Sequence, residues 1–382
     1  MKFRLELRNR NFEIKEILDD EYLDLNWSYS RIGGCGEVGF RLPRKRFEER
    51  SLTGESNIRI YYRNPDTNLY DLWYQGLIEN KVPNVDGNSE EIGVMGHGYI
   101  HQLSRVYVSN GAVAQTYVSQ EVSIIVKSIL DNFIVPVTNV TYNVSDIEAT
   151  TFTPNNIEFS TNAMSAMQTL AELAGNREWG VDKNRNFFFK ARSSSIGFRF
   201  LAGTNIKSFQ DNQDFSEIVN RLFVQGAQVG GTYHFFGPYT DSSSQIKYNT
   251  RTKIIQNSSV TTETVADQLS SGTLEEFKEV SRKASAELVG FGQLGGFNAQ
   301  MEATTPLDLF AEISKKVKFG QKKFGMFLFS GVVGRLINRI NYSLSNNGTL
   351  GIRLDLGQLR PNLAEQISQV EYQLEQQRTA AL

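Results

Sequence analysis

The sequence predicts a β-rich α+β chain: two small antiparallel β-domains, an α/β region inserted between them, and a C-terminal helix. Three observations carry that expectation. Residues 1–105 read as short runs in which apolar and polar residues alternate, closed by turns. Residues 106–205 instead hold two stretches with apolar residues at helical spacing. Finally, Tyr70–Tyr99 and Phe327–Gly357 echo each other: each runs through a strand, a Gly-Leu-Ile or Gly-Arg-Leu-Ile step, a loop with Asp86-Gly87 or Asn347-Gly348, a second strand and a glycine. A β-domain is therefore expected at both ends.

In order, residues 1–105 place Phe3, Leu5 and Leu7 in alternation with charged residues, then the turn Asn9-Arg10-Asn11. Strands follow over Leu23–Tyr29, Glu37–Pro43, Ile58–Arg63, Tyr70–Glu79 and Glu91–Met95, separated by Gly33–Gly36, Asn64-Pro65-Asp66 and a loop with Pro83 and Asp86-Gly87. Short strands with short connections fit a small barrel or a sandwich.

Residues 106–205 form the α/β domain. Ser119 is placed to cap a helix with Glu121 in its first turn, and Val122, Ile125, Val126, Ile129, Leu130 and Phe133 form its apolar stripe. After Pro136 and a polar β-type segment, Thr138–Thr153, comes Ile157–Arg192, the stretch around which the rest is organised. It opens on a short strand and continues as a helix capped by Ser160 or Thr161, with Ala163, Ala166, Met167, Leu170, Leu173 and Ala174 on one face. Gly175-Asn176 suits its stop. A hairpin closes the stretch, Glu178–Val181 and Phe187–Lys190 across the turn Asp182–Asn186.

Residues 206–229 supply the first strands of the second β-domain, Ile206–Gln210 and Ile218–Gln225. Residues 230–297 complete the inserted region: Gly230–Asn249 reads as an exposed hairpin, and the capping box Thr273-Leu-Glu-Glu276 opens a helix carrying Phe277, Val280, Ala284 and Leu288 as far as Gly290. The remainder of the second β-domain, 298–360, has strands over Asn298–Thr304, Ala311–Val317, Met326–Val333, Leu336–Leu344 and Leu350–Leu356, the last two joined at Asn346-Asn347-Gly348. Residues 361–382 form the terminal helix. Its Leu363, Ile367, Val370 and Leu374 step by four, three and four, a heptad seam. That helix either packs on its own domain or joins an oligomeric coil, and about two heptads are too few to hold chains together alone.

Composition narrows the function classes. The chain of 382 residues is 40% hydrophobic and 21% charged, which suits two or three folded domains. A formal net charge of −2 provides no overall basic field for nucleic acid. The single cysteine, Cys35, excludes an internal disulfide and a cysteine-based zinc cage. The N-terminal residues lack the apolar segment of a signal peptide. The longest apolar stretches are interrupted by Lys127 and by Gly331, Gly334 and Arg335, so no stable membrane insertion is expected.

No set of catalytic, cofactor-binding or metal-binding residues emerges. Gly34-Cys35-Gly36-Glu37-Val38-Gly39 matches G-x-G-x-x-G, but an extended segment, Phe40–Pro43, follows where a dinucleotide site needs a helix; a glycine-rich β-turn fits better. His97 and His101 lie in a strand-like context, where a separation of four is too far for chelation, and His234 stands in the exposed hairpin. Cys35 has no recognisable base and reads as a small buried or turn thiol. Asp19-Asp20, Glu48-Glu49 and Glu275-Glu276 are neighbours in sequence and read as solvated charges rather than a convergent pair. The basic run Arg41-Leu-Pro-Arg-Lys-Arg46 suits a solvated loop or a subunit salt bridge. Aromatics at Tyr61-Tyr62, Trp73-Tyr74 and Phe187–Phe189 suit core and interface packing.

One ordered set of segments resembles a known family: Gly33–Pro43 opening a β-domain, Ile157–Ala174 with its aromatic hairpin, Ser281–Leu288 in a late helix, and Ile337–Gly357 near the end. Their order is similar to that of the baseplate hub proteins of long-tailed bacteriophages, whose core is shared with type VI secretion spikes. The resemblance covers nearly the whole chain. It implies a homotrimer with two tail-tube-like β-barrels per chain, matching a six-fold tail tube to a three-fold central spike or fibre around a channel for DNA. The implied partners are the chain itself, the tail tube or distal tail protein, the spike or fibre protein and a tape-measure protein. The implied location is the virion tail baseplate, after assembly in the host cytoplasm. Leu363, Ile367, Val370 and Leu374 are the candidate oligomer or partner interface. Many such hubs extend into lytic or receptor-binding regions, whereas this chain ends in a short helix. A cell-wall hydrolase is the enzymatic alternative, and a carbohydrate- or receptor-binding protein using Gly230–Asn249 is the third reading.

Overall fold

The computed structural model describes residues 3–18, 22–43, 56–64, 67–85, 90–111, 113–150, 152–154, 156–174, 177–191, 198–199, 206–229, 232–256, 263–279, 281–288, 301–302, 337–346 and 348–356. Two compact units result, one built on Met1–Phe209 and Ser285–Leu356, the other on Gln210–Ala284.

The chain opens with β1 (Phe3–Arg8), β2 (Ile14–Leu18), β3 (Leu23–Ser30), β4 (Gly33–Pro43), β5 (Asn57–Arg63), β6 (Tyr70–Val85) and β7 (Glu90–Gly98). A 3-10 helix, Tyr99–Arg105, leads to β8 (Tyr107–Val108), β9 (Gln115–Val118) and α1 (Val122–Ile129), which widens into a π-type turn as far as Ile134. Next come β10 (Thr141–Ile147), β11 (Asn156–Phe159), β12 (Thr161–Asn162), α2 (Ala163–Leu173), β13 (Glu178–Val181), β14 (Asn186–Lys190), β15 (Phe198–Arg199) and β16 (Ile206–Asp214). The second unit holds β17 (Arg221–Val229), β18 (Thr232–Thr240), α3 (Ser242–Tyr248), β19 (Thr252–Gln256) and α4 (Glu263–Phe277). Then β20 (Ser281–Leu288), β21 (Met301–Glu302), β22 (Ile337–Leu344) and β23 (Leu350–Leu356) follow.

One large sheet dominates, in the order β16-β20-β23-β22-β3-β4-β7-β6-β5-β1-β2, with β13, β14 and β10 branching from β4. Among the described residues the strands of this sheet trace an open order and form no closed barrel. β22 pairs directly with β3, with Tyr342 opposite Trp27. The two echoing hairpins, β6–β7 and β22–β23, thus flank β3–β4 on opposite sides.

Alternation explains these strands. In β1, Phe3, Leu5 and Leu7 are buried, and so is Glu6, whose carboxylate is held by Arg4 at 3.0 Å and Arg8 at 2.6 Å. Neutralising a buried carboxylate in this way avoids the cost of an unpaired charge. Trp27 stacks on Tyr342 at 5.1 Å, and Trp73 meets Phe3 edge-on at 5.3 Å. Offset and edge contacts of this kind add to the burial of large rings.

A second core lies where α1 and α2 pack with β13, β14 and the 3-10 helix. The predicted stripes are buried as expected: Val122, Ile125, Val126, Ile129 and Leu130 from α1, with Ala163, Ala166, Met167 and Leu170 from α2. Their caps differ from the prediction. Asn162, not Ser160 or Thr161, accepts a hydrogen bond from the Ser165 N–H at 2.8 Å. Ser119 takes a left-handed φ of 49° before α1, and Glu121 occupies the cap position. The predicted hairpin forms as read; Asp182 Oδ1 accepts from the N–H groups of Asn184 and Asn186 at 2.7 and 2.9 Å, which shapes the turn.

In the second unit, β17 runs antiparallel to β18 and parallel to β19. So β17, predicted as part of the second β-domain, belongs to this three-stranded sheet, while β16 joins the large one. Leu274 and Phe277 of α4 pack with Val219, Leu222 and Ile255. Buried Asn220 ties the unit together, donating to the Asn249 carbonyl at 2.8 Å and accepting from the Arg251 N–H at 2.7 Å. Two readings are corrected here. The second half of Gly230–Asn249 is α3, whose start is capped by Asp241 through the Ser244 N–H at 2.8 Å. The helix expected to run through Ser281–Leu288 begins at Glu263, ten residues before Thr273 of the expected capping box, and ends at Phe277. Beyond it Ala286 and Leu288 are buried while Glu287 is exposed, the period of a strand. The terminal helix, including Leu363, Ile367, Val370 and Leu374, and the strands predicted over Ala311–Val317 and Met326–Val333 lie outside the described residues.

Candidate functional site

The glycine motif serves backbone packing. Gly33 and Gly34 adopt φ of +101° and +83°, turning the chain from β3 into β4, which then stays extended to Pro43. β13 lies parallel to the start of β4, pairing Gly180 with Gly33 and Val181 with Gly34. The motif lies within the extended β4, where a pyrophosphate cradle needs the start of a helix. Cys35, next in line, is fully buried, and burial pushes its thiol far above the usual range, so it stays protonated and unreactive.

On the exposed face of β3, β4 and β7, charges pair across strands. Arg41, the first residue of the basic run, binds Asp24 and Glu91, and the hydrogen bond it donates to Asp24 is the main reason its pKa is raised. Arg44, Lys45 and Arg46 lie outside the described residues. Glu37 accepts from Arg339 at 3.1 Å, and the same guanidinium donates to Ser28 Oγ at 3.0 Å, which ties β22 to β3 and β4. Within this face Met95 is 54% exposed, opposite Gly39. Exposed pairs contribute little stability each. Arranged across a subunit face, they would set register and partner choice.

The histidines, expected too far apart on a strand for chelation, come together. β7 ends at Gly98, and the 3-10 helix that follows folds the chain back within three residues per turn. The rings of His97 and His101 stack with centroids 4.7 Å apart and 20° between planes. Glu79 of β6 places Oε2 3.4 Å from His101 Nε2 and 3.9 Å from His97 Nε2, and its Oε1 accepts from Arg105 at 2.8 Å. Among the described residues no group of three His, Cys, Asp or Glu side chains is arranged to hold a metal ion. The signal missed in the sequence was Gly98 followed by Tyr99 and Leu103, an apolar pair at helical spacing.

In the second unit, Tyr233 and Phe235 of β18 and Ile254 of β19 are exposed. Phe223 carries the Arg221 guanidinium over its ring at 5.3 Å. Glu275 and Glu276 fall in the last turn of α4, while Asp19-Asp20 and Glu48-Glu49 lie outside the described residues. Among the described residues no helix is long and apolar enough to cross a membrane.

No family model matches the sequence, and no curated protein matches it either. Solved structures do match. The 43 kDa tail protein of prophage MuSo2 from Shewanella oneidensis superposes with a TM-score of 0.65 at 15% identity, over 93% of this chain and 98% of that one. A tail protein from Neisseria meningitidis gives 0.60 at 11% identity, over 94% and 97%. Prophage tail protein gp18 from Listeria monocytogenes gives 0.52 at 11% identity, over 98% and 99%. The chain has the fold of these phage tail proteins.

Proposed function

We propose that this chain is a structural, non-enzymatic component of a phage or phage-like tail, and that it acts there as the baseplate hub. The observation that carries this reading is the extent of the likeness: it covers 93% of this chain and 98% of the Shewanella tail protein, so it concerns the entire architecture rather than one shared domain. In the hub reading three copies form a ring with two tube-like β-domains each. The ring joins a six-fold tube to a three-fold spike or fibre and encloses a channel for DNA. Leu363, Ile367, Val370 and Leu374 then contribute to contacts between copies or with the spike. The ion pairs of Arg41 and Arg339 on the exposed sheet face offer polar complementarity to a neighbouring subunit.

Light scattering after size exclusion, with electron images of the same peak, tests the proposal. A trimeric ring with an open centre supports it. A chain that stays monomeric when mixed with its tube and spike partners would overturn it. Receptor or carbohydrate binding is the second reading, favoured by the exposed Tyr233 and Phe235 on β18. Glycan-array binding lost in a Tyr233→Ala/Phe235→Ala variant would support it.

A further inference from the structure

The cluster of Glu79, His97, His101 and Arg105 joins three consecutive elements: β6, β7 and the 3-10 helix. The buried side of that helix is secured by Tyr99 and Leu103, which pack in the same core as Leu77 of β6. Its outer side is held by the stacked imidazoles and their shared carboxylate. Both histidine side chains keep over a third of their surface exposed, 37% and 39%, so solvent protons reach them.

We propose that Glu79, His97 and His101 form a proton-sensitive clasp, which fastens the 3-10 helix to the β6–β7 hairpin while the imidazoles carry at most one proton and releases it when both are protonated. Charge counting supports this. With neutral rings, Glu79 and Arg105 balance. One proton is accommodated by the carboxylate that both Nε2 atoms approach. A second places two like charges face to face at 4.7 Å. The other carboxylate near His97 is Glu37, its cross-strand partner on β4, and Arg339 of β22 already engages it. Doubly protonated, the cluster would thus set His97, His101, Arg105 and Arg339 against Glu79 and Glu37 alone. Burial lowers the affinity of His101 for a proton; Glu79 raises it, and His97 and Arg105 lower it again. The net lowering fixes the sign. His101 binds its proton less readily in the folded protein than in the unfolded chain, so its contribution to the clasp is complete above the ordinary histidine value of about 6.5 and declines as pH falls below it.

Imidazole proton NMR of the full chain, with His97→Gln, His101→Gln and His234→Gln for assignment, is the first test. Replacing either clasp histidine should shift the titration of the other, while His234→Gln should shift neither. Amide exchange over residues 99–105, corrected for intrinsic rate, is the second. Protection should fall between about pH 7.5 and about pH 5, the range that spans the ordinary histidine value. In a His97→Gln/His101→Gln variant that fall should largely vanish. Independent titration of the two rings, or an equal loss of protection in the double variant, would overturn the proposal. Glu79→Gln keeps both rings and serves if the double variant fails to fold: both titrations should move to lower pH, and unmoved titrations would also overturn the clasp.

Discussion

Gly180 and Gly33 meet across the β4–β13 pairing with no room for a β-carbon: one built on Gly180 would lie 2.5 Å from the Gly33 carbonyl carbon. The obstacle is backbone, which does not swing aside as a side chain can. Gly180→Ala should cost about 1–3 kcal/mol, the range for overpacking a filled site. Gly93→Ala is the control, because its nearest neighbour would be the Val82 carbonyl oxygen at an ordinary 3.5 Å. That change should stay within about 0.5 kcal/mol. Urea midpoints of the two variants decide the matter.

Tyr342 carries the junction between the C-terminal hairpin and β3. It stacks on Trp27 and also meets Tyr29 edge-on at 5.9 Å. Tyr342→Ala should destabilise the first unit by about 3–5 kcal/mol, as truncation of a large buried ring does. Limited proteolysis should then cut within β22–β23 before other strands of that sheet.

Glu121 should make stability depend on acid. Burial pushes its carboxyl up, but hydrogen bonds from the hydroxyl and N–H groups of Ser123 and Thr150 together outweigh this and leave its pKa below the usual value. A lowered carboxylate pKa adds stability above the unfolded value and loses it as pH falls through the folded one. Glu121→Gln should cost about 1–2 kcal/mol near neutral pH, the scale of charged hydrogen bonds. Its deficit against the parent should shrink in denaturation curves recorded below about pH 4.

The Cys35 thiol should resist a soluble disulfide reagent in the native protein and react at once in denaturant, since the side chain is fully buried and its ionisation suppressed. Cys35→Ser should cost about 1–3 kcal/mol by burying a hydroxyl where sulfur sat. Cys35→Ala should cost less, a difference readable in thermal midpoints.

Elements with strong periodicity were legible in the sequence. The stripes of α1 and α2, the Glu178–Lys190 hairpin and the β22–β23 hairpin all form where alternation or helical spacing places them. Boundaries depending on a single polar residue were less so, because Ser119, Ser160, Thr161 and Asn162 are all competent caps and tertiary packing selects among them. Ser281–Leu288 was misread because its small residues satisfy both periods. The histidine pair was hidden for a different reason: its geometry depends on one backbone turn after Gly98, and no spacing rule for a strand anticipates that. The junction of β22 with β3 joins residues about three hundred positions apart, beyond the reach of local pattern.

The segment Gln210–Ala284 of the second unit starts inside β16 and ends inside β20, which are neighbours in the large sheet. Entry and exit therefore share one pair of adjacent rails. Material inserted between such rails can lengthen, shorten or be exchanged without altering the register of any other strand, since loop closure cost grows only slowly with length. The connection between β16 and β20 should therefore tolerate changes of length better than the connections inside the sheet, and thermal midpoints of variants shortened or lengthened there would check this.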